Sequence, residues 1–516
     1  MRKAFAPLVA LALAVGAGTA AAPGAAPAAG VAAPAAASPF HADSPFIRDA
    51  ASRVRFFHGV NAVWKQPPYY PPSSVYPSPF AVTPDKSFFD ERDAAFLAEN
   101  GLNSVRLGSL WVGAEPQRNV FDAAYLDRMS ELVDMLGARG VTVMLDFHQD
   151  MYNERFGGEG FPAWATHNSV SLGSHEVVVP PTNCCGFPGN YFTPAALRAF
   201  DNLWFDNFGL WNAYRDAWTH VAARFAGRPN VLGYELMNEP WPGTQVPTCA
   251  QPLGCPVFDA LFMQPFYERV IAGIRRADPS GMVFWDADVI TNNGTANWVG
   301  LLKPVADPGH NLGLAFHHYC LLGGGFVQAL PPSSDPLCVL QKQLVLQRQS
   351  EAAARNASAM FLTEFGATDD VAELARMTAL ADRSMLSWHY WHYGEWSDPT
   401  TSGVGSQGLF TNDLDRPGSL KQAKADVLIR TYPQAVAGTP LEFAFDPATK
   451  VFTLRFIADP SIAAATEIFV PVARHYAGTY AVSVTGPASV TSAADAPLLT
   501  LTNTGAGVVT ITVTKP

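Results

Sequence analysis

Residues 122–150 read DAAYLDRMSELVDMLGARGVTVMLDFHQD, and this stretch decides the fold. Apolar residues recur at spacings of three and four over 122–139, which predicts a helix with Asp122 as its N-cap and Gly140 as its stop. Val141–Phe147 then forms a short continuous apolar run, which is typical of a strand buried on both faces. The stretch is therefore one helix that leads into one buried strand.

The same alternation extends over residues 53–393. Eight apolar runs have the character of buried strands: Phe56–Val63, Ser104–Leu107, Val141–Phe147, Val231–Met237, Met282–Asp286, Leu312–Tyr319, Met360–Phe365 and Met385–Tyr393. Further helices are predicted over Asp90–Glu99, Phe266–Arg276, Leu337–Asn356 and Asp370–Arg383. Eight such units predict an α/β fold, a closed (β/α)8 TIM barrel. An open dinucleotide-binding sheet would need a glycine-rich turn after its first strand, and the sequence has none there.

From about Gly438 the pattern changes to an alternation of period two, with no helical period between the runs. This predicts a small antiparallel β-sandwich, with a structural role or with carbohydrate or lipid contact as the alternatives. The predicted organisation is a signal peptide (1–22), an Ala/Pro-rich linker (23–39), a catalytic (β/α)8 barrel (40–436) and a β-sandwich domain (437–516).

The first 22 residues have the three zones of a secretory signal peptide: a basic start, an apolar run and small residues before the linker. A membrane anchor is the alternative, but the run is shorter than the ~20 residues that a span needs. We therefore expect a secreted, extracellular protein.

The cysteines fit an oxidising compartment, because their number is even. They are Cys184, Cys185, Cys249, Cys255, Cys320 and Cys338. The local pairs Cys249/Cys255 and Cys320/Cys338 are the simplest of fifteen possible pairings. A zinc site is the competing interpretation, but no CxxC or HxxxH spacing accompanies the cysteines. We expect no metal and no cofactor.

The composition excludes several classes of protein. Of 516 residues, 48% are hydrophobic and 15% are charged, and the net charge is −11. The apolar fraction excludes disorder over most of the chain. Nucleic acid is excluded as a partner, because phosphate binding needs clustered Lys and Arg. We expect a monomer.

Polar and ionisable side chains stand at the ends of the predicted strands, where a barrel places its catalytic groups. They are Arg106 after the second strand, His148 and Asp150 after the third, Asn238 and Glu239 after the fourth, His317 and Tyr319 on the sixth, Glu364 on the seventh and Trp391 on the eighth. Each alone fits a turn, a rim salt bridge or core packing. Two glutamates at different strand ends, together with these other polar side chains, indicate a single active site.

Cleavage of a glycosidic bond would use such a set, since it needs two carboxyl groups in different protonation states. We expect Glu364 to be the ionised nucleophile, held by Arg106 and hydrogen-bonded by Tyr319. We expect Glu239 to be the acid, kept protonated by burial and by the charge of Glu364. The carboxyl groups would then lie about 5 Å apart, and the reaction would retain anomeric configuration.

Two further side chains are expected to contact sugar. Asn238, beside Glu239, is placed to bind the 2-hydroxyl, and Trp391 offers a flat apolar face for a pyranose ring. The strand-eight segment also contains Trp388 and Trp396, and we select Trp391.

The motifs Val105–Gly108, Leu236–Pro240, Phe316–Tyr319 and Phe361–Gly366 together resemble glycoside hydrolase family five of clan A. Within that family the chain is most similar to endoglycoceramidases, on Gly59–Lys65, Asp146–Asp150, His317–Cys320 and the appended sandwich. The resemblance implies that Glu239 is the acid/base and Glu364 the nucleophile. It further implies that the first sugar subsite is lined by His148, Asp150, Asn238, Tyr319 and Trp391, and that Lys65 reaches further glycan units.

The resemblance implies hydrolysis of the bond between oligosaccharide and ceramide in glycosphingolipids, with transient contact to membranes or micelles. Two loops with apolar residues, 67–80 and Leu321–Leu330, are candidates to line a lipid groove, with ordinary loop packing as the alternative. A family-five enzyme acting on soluble oligo- or polysaccharides is the second interpretation. A binding protein on a degenerate barrel is the third.

Overall fold

The structure is a computed structural model. It describes residues 37–73, 89–172, 175–249, 252–320, 334, 336–394, 398–401, 405–416 and 418–516. The chain divides into two units, Met1–Ala35 and Ala36–Pro516, and all of the described helices and strands lie in the second. The predicted signal peptide, most of the linker, the loop 321–330, half of the loop 67–80 and Trp396 lie outside the described residues.

The strands of the described residues are β1 (Phe40–Asp43), β2 (Phe46–Asp49), β3 (Val54–Arg55), β4 (His58–Ala62), β5 (Ser104–Gly108), β6 (Thr142–Asp146), β7 (Ser169–Leu172), β8 (His175–Val178), β9 (Val231–Glu235), β10 (Met282–Asp286), β11 (Leu312–His318), β12 (Ala359–Gly366), β13 (Ser387–Trp391), β14 (Tyr432–Val436), β15 (Gly438–Asp446), β16 (Val451–Ala458), β17 (Thr466–Phe469), β18 (Ala481–Thr485), β19 (Ala488–Val490), β20 (Leu498–Asn503) and β21 (Gly507–Thr514).

The helices of the described residues are α1 (Glu91–Glu99), α2 (Trp111–Ala114), α3 (Ala123–Gly137), α4 (Gly186–Gly189), α5 (Pro194–Trp204), α6 (Leu210–Phe225), α7 (Pro256–Phe258), α8 (Gln264–Ala277), α9 (Pro336–Arg355), α10 (Val371–Arg383), α11 (Gln422–Leu428) and α12 (Val472–His475). The predicted N-cap of α3 is confirmed, since the Asp122 carboxylate accepts the backbone N–H of Tyr125 at 3.0 Å. Asp90 and Asp370 cap α1 and α10 in the same way.

Eight parallel strands close into a barrel in the order β4, β5, β6, β9, β10, β11, β12, β13 and back to β4. Each predicted run agrees with one barrel strand to within two residues at either end. Side chains along these strands are buried on both faces, one inside the barrel and one under the helices. The predicted TIM barrel is confirmed.

An N-terminal hairpin, β1 and β2, covers the end of the barrel where its strands begin. Phe40 and Ile47 join a buried cluster with Phe57 and Phe284, and the Phe40 and Phe57 rings meet edge to face at 5.6 Å between centroids. Asn311 accepts the Ala42 N–H at 2.8 Å and donates to the Phe40 carbonyl at 3.1 Å. The hairpin therefore lies at the end of the barrel opposite to the predicted site residues.

The C-terminal part forms two antiparallel sheets, as predicted. One has the order β15, β16, β21, β18, and the other has the order β1, β2, β3, β14, β17, β20, β19. The second sheet thus takes β1–β3 and β14 from the segment 40–436, which the sequence analysis assigned to the barrel. The reason is connectivity: β3 pairs with β14, and the chain enters β4 of the barrel two residues after β3.

The cysteines form three disulfides. The expected pairs Cys249–Cys255 and Cys320–Cys338 are both present, and the adjacent residues Cys184 and Cys185 form the third. Among the helices of the described residues, none has the length and apolar character needed to cross a membrane.

Candidate active site

Arg106 on β5 lies at the centre of the site and is fully buried. It forms two hydrogen bonds with Glu235, through Nε at 2.7 Å and Nη2 at 2.9 Å. Nη1 donates to Glu364 Oε1 at 2.5 Å, and Nη2 donates to Asn238 Oδ1 at 2.8 Å. Burial acts to lower the pKa of Arg106, but the carboxylates of Asp146, Glu235 and Glu364 outweigh it and raise the pKa well above its ordinary value. The guanidinium is therefore a permanent cation that orients its neighbours.

Glu364 at the end of β12 is held at both oxygens. Oε1 accepts from Arg106, and Oε2 accepts from the Tyr319 hydroxyl at 2.7 Å. Burial, and next the charge of Glu364, raise the pKa of Tyr319 well above its ordinary value, so the phenol keeps the proton that it donates. Two donors at a carboxylate stabilise its ionised form, which a nucleophile requires.

Glu239 follows β9 and has the opposite character. Burial, and next the charge of Asp150, raise the pKa of Glu239 to about 7. The sequence analysis expected burial and the charge of Glu364 to raise this pKa. Burial is the largest cause, but the leading charge is that of Asp150 and not that of Glu364. Oε1 contacts His317 Nδ1 at 2.8 Å and Asn292 Nδ2 at 3.0 Å. Glu239 thus carries a proton over much of the neutral range, as a general acid must.

The two glutamates face each other across a narrow gap. One oxygen of Glu239 and one of Glu364 lie within 4.8 Å of each other, with His317 Nδ1 between them at 2.8 and 3.6 Å. Burial is the main cause that lowers the pKa of His317 to about 4, so this imidazole is neutral. The gap is shorter than the roughly 6.5–9.5 Å at which an inverting pair admits a water molecule.

Asn238 and His148 lie beside this pair. Asn238 accepts from Arg106 and donates to the Gln149 carbonyl at 2.9 Å, which fixes the orientation of its amide. His148 Nδ1 is 2.8 Å from Asp146 Oδ2. Burial acts to lower the pKa of His148, but the charge of Asp146 and this hydrogen bond raise it above its ordinary value.

Lys65 and Asp150 belong to a buried ion cluster next to the glutamates. Lys65 Nζ donates to Asp150 at 2.7 Å, to Asp398 at 3.2 Å and to the Thr400 hydroxyl at 2.6 Å. Burial opposes ionisation of Asp150, but Lys65 lowers its pKa far below the ordinary range. In this structure the Lys65 ammonium donates its hydrogen bonds to these three residues. Its contact with further glycan units stays a prediction.

Trp391 ends β13 inside the site, whereas Trp388 packs on His58 at the far end of the strand. The Trp391 ring lies 4.7 Å from Lys65 Nζ and 5.4 Å from the His148 ring. Its Nε1 donates to Gln407 Oε1 at 2.6 Å. Trp391 therefore lies beside the other predicted site residues with its ring orientation fixed, and its stacking on a sugar stays a prediction.

Within the described part of the chain, three groups of side chains have ligand atoms close enough together to hold a metal: His148, Asp150 and Glu159; Glu235, Asp286 and His317; and Glu239, His317 and Glu364. Cations of the chain itself already lie on them. Lys65 contacts Asp150 and Glu159, and Arg106 contacts Glu235 and Glu364.

The structure brings all ten predicted site residues to one end of the barrel, and it adds several that the sequence analysis missed. They are Asn61, Asp146, Glu159, Glu235, Asp286, Asn292, Asp398, Thr400 and Gln407. Glu235 and Asp286 had a readable signal, since each ends an otherwise apolar strand. Asn292 lies in an irregular connection and had none.

Two family models match the chain. Cellulase (glycosyl hydrolase family 5) matches residues 83–397, and the glycoside hydrolase family 5 C-terminal domain matches residues 430–513. Endoglycoceramidase I of Rhodococcus hoagii is 34% identical over 481 residues, which cover 92% of this chain and 88% of that protein. Endoglycoceramidase of Hydra vulgaris is 30% identical over 428 residues, which cover 79% and 75%.

Solved structures are similar over the same extent. Endo-glycoceramidase II from Rhodococcus sp. is 28% identical with a TM-score of 0.69, and the match covers 91% of this chain and 99% of that chain. That protein has also been solved in a ganglioside GM3 complex, which matches at 27% identity and a TM-score of 0.68, with the same coverage.

Proposed function

This chain belongs to glycoside hydrolase family 5, and we propose that it hydrolyses the bond between the oligosaccharide and the ceramide of glycosphingolipids with retention of anomeric configuration. The observation that carries the mechanism is the pair Glu239 and Glu364, whose oxygens lie within 4.8 Å of each other. One carboxyl has two donors that favour its charge, and the other has a pKa raised to about 7.

In the first step, Glu364 attacks the anomeric carbon while Glu239 gives its proton to the departing ceramide oxygen. This forms a glycosyl ester on Glu364 and frees ceramide. In the second step, Glu239, now ionised, takes a proton from water, and the water oxygen displaces Glu364 to release the glycan. Arg106 and Tyr319 stabilise the carboxylate of Glu364 before attack and again as it leaves.

Exposed apolar residues support a lipid substrate. In the connection between β9 and α8, Leu253, Val257 and Leu261 are 63%, 46% and 57% exposed. In the first two turns of α9, Leu337 and Leu340 are 55% and 53% exposed. Both segments come after barrel strands and so belong to the end that carries the site. We propose that this rim, defined by these five residues, contacts membranes or micelles.

We also propose that the protein is secreted and works as a monomer. Three disulfides support an oxidising compartment, because such bonds are rare where thiols are kept reduced. The location is tested by detecting the processed chain in culture medium, and the oligomeric state by light scattering.

The substrate is tested by incubating the enzyme with a ganglioside, with globoside and with cellulosic and mannan oligosaccharides. Mass spectrometry of the products should show intact glycan and intact ceramide from the glycolipids. Glu364→Gln is the matched control, because it keeps the size of the side chain and removes the nucleophile. Activity on the soluble oligosaccharides alone would overturn the ceramide assignment and would support the second interpretation.

A further inference from the structure

Glu239 has a strained backbone that is held from both sides. Its φ is +42°, in the left-handed region that residues with a Cβ rarely adopt. Its N–H donates to Asp286 Oδ2 at 2.8 Å, and its carbonyl accepts from Gln149 Nε2 at 3.1 Å. Such a conformation persists only where surrounding contacts hold it in place. The two backbone hydrogen bonds therefore fix the direction in which the Glu239 side chain leaves the backbone.

Among the residues that the structure describes, hydrogen-bond partners contact the Glu239 side chain at one oxygen only. Oε1 of Glu239 lies 3.0 Å from the Asn292 amide nitrogen, which donates to it, and 2.8 Å from His317 Nδ1. The carbonyl oxygen of a neutral carboxyl is a better acceptor than its hydroxyl oxygen. Because the Asn292 amide donates to Oε1, it favours the acidic proton on Oε2. The side chain is 15% exposed, so the group is not sealed from the cleft.

The position of Asn292 is set by the fold. The residue is 3% exposed and lies in the short turn Val289–Asn293 after β10. Its carbonyl accepts from Gln341 Nε2 on α9 at 2.8 Å, and the same amide group reaches the Tyr319 carbonyl at 3.2 Å. One glutamine thus joins the turn behind Glu239 to the residue that holds Glu364.

We propose that Asn292 is a positioning residue that, with Asp286 at the end of β10, fixes Glu239 so that its proton lies on Oε2 and faces the glycosidic oxygen. The inference rests on the proposed function for the role of Glu239 as acid. It assigns to the connection after β10 a part in proton delivery that is separate from sugar binding.

The role has a signature that depends on the leaving group. A poor leaving group needs the proton, whereas an activated phenol departs without it. kcat/KM for a retaining glycosidase reports the steps up to the first bond cleavage, so it isolates this proton transfer. Asn292→Ala should lower kcat/KM for phenyl β-lactoside by roughly 10-fold or more, the effect of losing one hydrogen bond to a charged group. The value for 2,4-dinitrophenyl β-lactoside should change less than about twofold.

The experiment compares wild type, Asn292→Ala and the control Asn293→Ala from the same turn on these aryl lactosides. The aryl lactosides carry no ceramide. If the enzyme did not hydrolyse glycolipids, the proposed substrate would be wrong, but this test of Asn292 could still be made. The alkaline limb of kcat/KM should move to higher pH in Asn292→Ala only, because removing a donor destabilises the ionised carboxyl. Equal losses on both lactosides with an unmoved limb would overturn the proposal.

A second measurement does not depend on activity. The titration of the Glu239 carboxyl, followed by ¹³C NMR and identified with Glu239→Gln, should shift to higher pH in Asn292→Ala. An unchanged titration in a folded variant would overturn the proposal on its own.

Discussion

At the scale of single residues, Glu239 and Glu364 show how one side chain type takes two roles. Glu364 has a buried guanidinium and a phenol as donors. Glu239 lies beside a neutral imidazole and an amide, and burial together with the nearby charge of Asp150 favours its protonated form. The division of roles therefore comes from the partners that the barrel places beside each carboxyl.

The pH dependence of activity should follow the acid. Because the pKa of Glu239 is raised to about 7, the proton that it must donate is lost as the pH rises through that value. We expect kcat/KM on an unactivated substrate to fall tenfold per pH unit above about 7, measured between pH 5 and 9. Glu239→Gln should lose this limb along with its activity. A limb that lies two units higher would contradict the assignment.

Arg106 cannot be replaced by lysine, because its contacts need a planar fork. It reaches Glu235, Glu364 and Asn238 at once, and one ammonium cannot span them. We expect Arg106→Lys to lower kcat/KM by roughly 10²–10³-fold, as when a preorganised donor is removed. The control is Arg276→Lys, whose side chain is 54% exposed. Activity of Arg106→Lys within twofold of wild type would show that Arg106 is not central.

Sequence reasoning could predict that the candidate site residues lie together, because the strand ends of a barrel converge on one rim. It could not find which of them bond to each other. Glu235 reads as an isolated acid in an apolar strand until barrel closure places Arg106 beside it. Asn292 and Thr400 lie in irregular connections, where no periodic pattern reports which side chain turns inward.

At the scale of elements, the barrel strands were predictable and the N-terminal strands were not. A barrel strand is buried on both faces, so its sequence is a continuous apolar run. β1 and β2 are four residues each, FHAD and FIRD, and both segments are too short to carry a pattern. Their place is decided by distant partners, Asn311 and the cluster around Phe57.

The strand β4 begins with a histidine that has an unusual environment. His58 stacks between Trp388 and Tyr432, at 4.3 and 3.6 Å between ring centroids. Neither of its ring nitrogens has a hydrogen-bond partner among the described residues. Burial, and next the charge of Arg430, lower the pKa of His58 well below its ordinary value. The imidazole therefore stays neutral in the folded state.

This histidine should make the fold sensitive to acid. Below about pH 6.5 the unfolded chain binds a proton at His58 and the folded chain does not. Protonation of the unfolded chain therefore lowers the free energy of unfolding by up to about 1.4 kcal/mol for each pH unit below that value. His58→Phe keeps the stacking and removes the titration. We expect its advantage in the free energy of unfolding to grow as the pH falls from 7.5 to 5.5, measured by urea denaturation.

The control for that series is His41→Phe, at an exposed histidine of β1. Its difference from wild type should stay constant over the same pH range. A constant difference for His58→Phe as well would contradict the neutral buried state of His58.

At the scale of the whole molecule, the segments that flank the barrel strands share one hydrophobic core with the sandwich, and this shared core is separate from the core of the barrel itself. Val54, Phe56 and Ile429 lie in a buried cluster with Phe443 and Phe452 of the sandwich. The buried ion pair of Arg430 and Asp382 extends to the Phe445 carbonyl at 3.0 Å. Alternating strands predicted the sandwich, but this shared core could not be read from the sequence, because each contact joins distant segments.

We therefore expect the two parts to unfold together. Calorimetry of the intact chain should show one cooperative transition, and a chain ending at residue 436 should fail to fold, because Phe56 and Ile429 would lose their cover. The control is Arg455→Ala, an exposed position on β16, which should leave one transition. Two separate transitions in the intact chain would contradict the shared core.

The most direct test of the central claim, retaining cleavage by Glu239 and Glu364, is proton NMR of the glycan as it is first released from a glycosphingolipid. The account predicts that the anomeric signal of the β form appears first and that the α form grows later by mutarotation. Initial release of the α form would contradict it, because that outcome requires direct attack by water and leaves no role for Glu364 as nucleophile.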